Sequence, residues 1–524
     1  MTRASVLAAF AEAVGAEHVV IEPAALDAAS TATFATRQRV PAIVRPASRE
    51  EVQACLRVAN RFRVPVHPVS RGKLWGFGSR VPVRDGAVLL DLARMNRVVD
   101  FDEALAYVTV EPGVTFAELH AFLKAQGSRL FASTTGGSPH SSVVGNALER
   151  GDGSGPLGDR LEHACAFEVV LPTGEVIHTG HDRFVGARAA PLFRWGVGPS
   201  LDGLFSQSNL GVVTRMTLWL TPLPRSLALV RFSVVDPAKL RAMVDACRVL
   251  RLDGTFRSVV GIWNDYRVLS TRGQYPWDLT AGETPLSRAV LARLLPEQGG
   301  ATWFGSTAIH APSVAQGRAA LAHVERSLRP YVDHFSVDAR TLQGGEPAGE
   351  GDPAFLFIQG IPHESSLRTM YWRKRTPIPE SPDPDRDRCG VLWCSPVVPF
   401  RGSDVVRAAQ ILEEVMLAHR LEPMLAMVGQ SPRAVYLLPL LVYDRDVPGA
   451  DEEAMRCHDA MLERLVAAGY PPYRLGAQSM DALPAPRDDH GALMERLKRA
   501  LDPNDVLAPG RYDFRGTWPP KREE

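Results

Sequence analysis

Apolar residues recur every three to four positions in MTRASVLAAFAEAVGAEHVV, at the start of the chain, a spacing that predicts an amphipathic helix. The next pattern, PAIVRPASREEVQACLRVANRFRVPVHPVS (41–70), reads as a short strand, Ser48 as an N-cap with Glu51 three residues on, a helix, and a second strand. AVLLDLARMN (87–96) and YVTVEPGVTFAELHAFLKAQG (107–127) predict two more strands, the second followed by a helix entered through Thr115 and ended at Gly127. CAFEVVLPTGEVIHTG (165–180) reads as a hairpin turned at Thr-Gly. An alternating apolar strand with a double-proline exit closes 193–224 and places a domain boundary near Arg225.

From Ser226 to about Tyr470 strands and helices alternate in the order of an α+β unit, with helices on one face of an antiparallel sheet. The span 345–390, with GGEPAGEGDP and PIPESPDPDRDR, predicts a loop of poor packing capacity. The tail 492–514 predicts a helix broken at Pro503 and then a pocket-forming loop, and no internal repeat is visible.

With 524 residues and 45% hydrophobic content the chain can bury large cores, in roughly two to four units. Lys+Arg and Asp+Glu both number 59, so no basic field exists to gather nucleic-acid phosphates, and a small-molecule partner is expected. No secretory h-region and no run of about 18 apolar residues occurs, which predicts a soluble, cytoplasmic protein without a membrane partner. Six scattered cysteines form no C-x-x-C pair; free thiols are expected, with no metal site.

The chemistry gathers in two glycine-rich loops. VHPVSRGKLWGFGSRVP (66–82) follows an apolar strand, and SRLFASTTGGSPHSSVVGNALERGDGSGPLGDR (128–160) is the most glycine- and serine-rich segment. Unhindered backbone N–H groups around a concavity can bind a diphosphate without a helix terminus. The spacing does not fit a Rossmann fingerprint, because no helix follows GFG at once within a strand-helix-strand unit.

PVSRGKLWGFG, VTVEPGVTFAELHAFL, VVGNALERGDGSGPLGDR, FEVVLPTGEVIHTG, DGLFSQSNLGVVTRMTLWL, YRLGAQSMD and LDPNDVLAPGR, in this order over nearly the whole chain, resemble the vanillyl-alcohol oxidase / p-cresol methylhydroxylase family of FAD enzymes. The resemblance implies an α+β, two-domain protein: a PCMH-type FAD-binding domain (1–225), an antiparallel-sheet cap domain (226–470), and a C-terminal segment (471–524) returning to the first. Ser70, Arg71, Gly72, Lys73, Gly76 and Phe77 would line the FAD diphosphate, with Ser141, Ser142, Asn146, Glu149 and Gly158 along the second loop. Val212 would touch the adenine side through its backbone, and Arg511 would sit near the flavin edge. Tyr473-Arg474 matches the family's active-site pair: Tyr473 would bind substrate oxygen and Arg474 would stabilise charge on the reduced flavin. Trp75, Trp393 and Tyr436 would wall the substrate pocket.

The chain also departs from the family pattern. Phe77 stands where a clamp tyrosine is expected, and Ser154 and Leu157 replace two tyrosines. The loop before VVGN offers no carboxylate, which leaves His140 as a candidate base. PDPDRDRCGV supplies no histidine or tyrosine before VLWCSPVVP, so FAD is expected to be held non-covalently. Val435 and Tyr436 lie where related chains carry two histidines. The expected reaction is hydride removal from a phenolic or other aromatic alcohol or alkyl group to flavin, in a homodimer using oxygen or a redox partner as acceptor. Oxidation of a 2-hydroxy acid or sugar-like alcohol, and a non-catalytic flavin-binding module, are the alternatives.

Overall fold

The protein is described by a computed structural model over residues 2–296, 299–342, 352–485 and 487–513. The first strand-helix-strand unit forms as its sequence requires. Ser48 Oγ accepts from the Glu51 backbone N–H at 3.2 Å, and Glu51 Oε2 accepts from the Ala47 N–H at 2.8 Å, fixing the start of the helix Arg49–Phe62. Its buried residues, Val52, Cys55, Leu56 and Ala59, repeat at helical spacing. The flanking strands Ile43–Val44 and Val66–Val69 both run parallel to Val88–Asp91, while Val19–Val20 pairs antiparallel on the outside.

A second, antiparallel sheet holds Val98–Asp102, Tyr107–Val110, Val212–Trp219, Ala164–Val170 and Val176–His178 in that spatial order. The last two are the hairpin expected at Thr-Gly. The helix Phe116–Ala125 enters through Thr115 in a full capping box with Glu118.

The C-terminal tail returns to the first sheet. The Val66 N–H donates to Val506 O and the Ala508 N–H to Val66 O, both at 2.8 Å, which lays Leu507 beside Val66 as one more parallel bridge. Lys498 fastens this return from a buried position: its ammonium donates to Asn209 O, Asp502 Oδ2 and Leu507 O at 2.7–2.9 Å. All three of its protons are thereby used and its charge is offset by Asp502. Arg511 is carried to the mouth of the loop after Val69.

Residues from Ser226 onward build a seven-stranded antiparallel sheet, in the order His334–Thr341, Ser226–Val234, Trp303–Ala311, Val260–Asn264, Ala426–Gly429, Ala434–Leu437, Val397–Pro399. The helices Leu240–Leu252, Val314–Leu328, Gly402–Ala418 and Ala450–Ala467 share one apolar core with it. Strand alternation decides what the opposite face offers: Val435 and Leu437 enter the helix-side core, so Tyr436 points the other way.

The expectation for 345–390 needs correction. Residues 343–351 lie outside the described residues, but beyond them Phe355, Tyr371 and Trp372 are buried, and Arg373 and Lys374 form ion pairs with Glu422 and Asp444. The proline- and aspartate-rich spelling hid a few large aromatics that fill a satellite core.

Candidate active site and cofactor cleft

The two glycine-rich loops and the tail meet around an open cleft. Its walls are 67–74 after the strand Val66–Val69, 141–149, 207–213 and 507–511, with Arg474 at one end. Two glycines explain the close approach of these loops. Gly72 has φ +62°, and a Cβ there would meet Arg80 Nε at 2.9 Å; a Cβ on Gly145 would lie 2.5 Å from Ser70 Oγ. Between them Ser142 Oγ donates to Pro112 O at 2.6 Å and accepts from the Gly145 N–H at 2.8 Å.

Two cations of the first loop, Arg71 and Lys73, are occupied by the protein. Arg71 donates to Gly113 O at 2.6 Å and to both Glu118 oxygens at 3.1 Å, and Lys73 lies 3.6 Å from Asp383 and over the Trp75 ring. The loop therefore presents backbone N–H groups and Ser70 to the cleft, with its shape locked from behind.

At the other end a polar network surrounds Glu149. Its carboxylate pairs with Arg511 and accepts from the Tyr512 hydroxyl at 2.9 Å, while its backbone carbonyl accepts two N–H bonds from Arg474, one of them at 2.8 Å. Burial alone would raise this carboxyl, yet the charges of Arg511 and Arg474 and the hydrogen bonds of Arg511 and Tyr512 hold it below its ordinary value. Two cations and one anion are thus fixed before any ligand arrives. His67 sits in the same cleft; burial and the charge of Arg511 pull its imidazole down to about 3, and Nδ1 has no protein partner among the described residues.

Past Arg474 the walls become aromatic. The Arg474 guanidinium lies 5.2 Å from the ring centroids of both Phe77 and Tyr473, and Tyr473 stacks on Tyr436 at 4.2 Å with the planes 18° apart. Burial pushes the Tyr473 hydroxyl up to about 12, against the opposing charge of Arg474, and burial likewise raises Tyr436. Trp393 packs on Gly76 so tightly that a Cβ there would meet Trp393 Cδ1 at 2.2 Å. Several buried polar atoms around this wall lack a partner among the described residues: Ser395 Oγ, Gln430 Oε1, Gln478 Oε1, Arg267 Nη1 and Arg160 Nη2.

The cleft gathers Ser70, Arg71, Gly72, Lys73, Ser141, Ser142, Asn146, Glu149, Val212, Arg474 and Arg511. Gly76, Phe77 and Gly158 do not line it: Gly76 and Phe77 join the aromatic wall, and Gly158 packs on Val259 and Gln430. Trp75 is buried with its indole N–H donating to Asp385 Oδ2 at 3.1 Å, a seam between loops instead of an open wall. Asp385 also accepts from Ser79 Oγ at 2.7 Å, and burial raises its carboxyl to about 7. His140 is exposed at the loop tip and lines no part of the cleft, so the structure does not bring it to Tyr473 and Arg474.

Some contributors carried no clear sequence signal. His67, Gln207 and Asn209 reach the cleft only because the tail packs there. Asp152 and Asp159, which flank GSGPLG, lie close enough for their charges to act on both Tyr473 and Tyr436. Arg160 holds that loop, donating to Ser133 O, Asn146 Oδ1, Gly151 O and Asp152 O, and Ser154 Oγ accepts from the Thr134 N–H at 3.1 Å. The loop that departs from the family spelling is therefore rebuilt around a buried arginine.

Residues 40–180 match the model of the FAD binding domain. Over 529 aligned residues the chain is 49% identical to 1'-carboxy-chondrochloren decarboxylase of Chondromyces crocatus, covering 98% of each. This chain belongs to the vanillyl-alcohol oxidase / p-cresol methylhydroxylase family. The flavoprotein subunit of 4-cresol dehydrogenase [hydroxylating] of Pseudomonas putida is 29% identical over 88% of the chain and 85% of that subunit. A crystal structure of p-cresol methylhydroxylase with substrate bound superposes with a TM-score of 0.89 at 26% identity, covering 98% of both chains. The α+β architecture is that of the family, and the protein is an FAD-linked oxidoreductase.

The cleft fits FAD on its own terms. Glycine-shaped walls leave backbone amides for the diphosphate, and Arg474 and Arg511 bring positive charge to one end. Among the described residues no helix is long and apolar enough to cross a membrane.

Proposed function

We propose that this enzyme oxidises a para-substituted phenol whose side chain carries a carboxyl group one carbon beyond the benzylic position, and releases that group as carbon dioxide. The observation that carries the reading is the Tyr473-Arg474 pair, set against Phe77 at the end of the FAD cleft. A relative named a carboxy-chondrochloren decarboxylase, 49% identical along the whole chain, supports the carboxyl group; the named 4-cresol dehydrogenase supports the phenol.

Bound FAD supplies a two-electron acceptor that takes a hydride from the benzylic carbon. Tyr473 donates to the phenol oxygen and Arg474 stabilises it as phenolate, with the Asp152 and Asp159 carboxylates nearby to take the proton. Electron push from that oxygen makes hydride loss feasible and leaves the substrate as a quinone methide. The bond to the carboxyl group then breaks; its electron pair becomes the exocyclic C=C bond and the ring returns to phenolate. The products are a vinylphenol and carbon dioxide, with two electrons stored on the cofactor. Tyr436, stacked on Tyr473, keeps the tyrosine ring in place.

With no histidine or tyrosine in PDPDRDRCGV, and with Cys389 and Cys394 buried and their thiols raised by burial, we propose that FAD is held without a covalent link. The test is anaerobic titration of the holoenzyme with para-hydroxyphenylpropionate, para-ethylphenol, phenylpropionate and lactate. Flavin bleaching by the first, with carbon dioxide and vinylphenol formed in equal amounts, is the expected result. Bleaching by lactate alone would return the reading to a 2-hydroxy acid oxidase.

A further inference from the structure

Among the described residues, Arg267 of the cap has neither an ion pair nor a side-chain hydrogen bond. Arg267 lies on the short helix Asp265–Ser270, which starts where the central strand Val260–Asn264 ends, and Asn264 Oδ1 accepts from its backbone N–H at 3.1 Å. Other cap cations are compensated: the half-exposed Arg288 by Asp265 and Glu413, and the buried Arg373 by Glu422 and Lys374 by Asp444 and Asp446. Arg267 has no ion pair with any described residue. Its Nη1 is sealed from solvent without a hydrogen-bond partner, and burial alone pulls the guanidinium down to about 10, which still leaves it charged near neutrality. An uncompensated buried charge is expensive, and such a group is expected to meet an anion.

Its surroundings say where that anion would lie. The Arg267 guanidinium sits 5.6 Å from the Trp393 ring centroid. Trp393 packs on Gly76, and the next residue, Phe77, carries the Arg474 guanidinium on its ring. One aromatic wall therefore has an arginine at each end. Arg474 is tied to the Glu149 carbonyl and faces the cofactor cleft; Arg267 lies against Trp393 and has no hydrogen bond or ion pair from its side chain among the described residues.

We infer that Arg267 is a carboxylate-recognition residue of the substrate site, selecting aromatic substrates whose side chain ends in a carboxylate. The inference deepens the function proposed above and rests on that reading for the position of the substrate ring. A guanidinium holding a carboxylate loses its partner's charge as neutral carbon dioxide departs. Arg267 therefore contributes to substrate binding more than to the transition state, and its loss raises KM far more than it lowers kcat.

Affinity can be read without turnover, by the shift that a ligand causes in the absorption of oxidised flavin in the holoenzyme. Wild-type protein is expected to bind para-hydroxyphenylpropionate at least about tenfold more tightly than its methyl ester. Arg267→Gln should abolish that preference while leaving the ester's affinity within about twofold, and Arg267→Lys should keep part of it. Equal binding of acid and ester by the wild type, which needs no variant to fold, overturns the inference, as does an Arg267→Gln protein that loses both ligands alike. Failure of the function itself looks different: the acid would bind in preference to the ester, yet no phenol would bleach the flavin.

Discussion

The cofactor cleft and the aromatic wall are neighbours, but they treat their polar groups in opposite ways. In the cleft most charges are spent within the protein: Arg71 on Glu118, Lys73 on Asp383, Arg511 on Glu149. What remains for FAD is backbone, shape and a fixed field, the preorganisation that an invariant ligand permits. On the wall, Ser395, Gln430, Gln478 and Arg267 keep buried polar atoms unmatched. Buried donors and acceptors without protein partners carry a desolvation cost that a polar ligand reaching them would offset. Arg474 belongs to both regions, bonded on one side to Glu149 and stacked on the other with Phe77 and Tyr473.

Breaking this shared residue should have the largest effect. Arg474→Ala is expected to slow anaerobic flavin reduction, measured per bound FAD, by about 10²–10³-fold, because it removes fixed charge from both phenolate and reduced flavin. Unchanged reduction would separate the two regions altogether.

The cleft's internal balance is tested by Glu149→Gln, which leaves Arg511 and Arg474 without their carboxylate. Urea unfolding should show a loss of about 3 kcal/mol near neutral pH. The sign with pH follows from a carboxyl held below its ordinary 4.5: its contribution is fully present above that value and is lost as the pH falls through the lowered one. The gap between wild type and variant should therefore be constant around neutrality and close in acid.

Asp385, in the seam with Trp75 and Ser79, runs the other way. Its carboxyl, raised from 3.8 to about 7, stays protonated in the folded protein where the unfolded chain would have ionised, so stability falls as pH rises through that window and is level above it. Asp385→Asn should flatten this slope and stabilise the protein by about 1–2 kcal/mol at pH above 7, a figure reduced from the full shift because the residue is partly exposed. Melting curves across the window decide it. Phe77→Tyr is the mildest change: a restored hydroxyl beside Arg474 should tighten phenol binding about two- to tenfold without altering FAD content.

The two regions were not equally legible in the sequence. Ser48 with Glu51, Thr115 with Glu118 and the Thr-Gly hairpin are local signals, satisfied by atoms a few residues away, and each appears in the structure where it was expected. The turn at Gly72 was legible for the same reason, since a glycine at φ +62° is a property of its own backbone. The loop 352–390 misled, because its prolines and aspartates outnumber the few aromatics that set its packing. His140 misled as well: a titratable residue in the right loop still needs a side chain turned inward, and this one is exposed.

The sequence by itself determined the helices, the strand alternation that turns Tyr436 away from the helix-side core, and the two backbone cradles, because those depend on propensity, periodicity and local hydrogen bonds. Only the tertiary structure decided that Arg71 and Lys73 are already paired, that Arg511 and His67 meet beside Glu149, and that Arg267 lies against Trp393 without an ion pair among the described residues. A charge's availability depends on which distant residue it meets, and residues far apart in sequence meet only once the chain has packed.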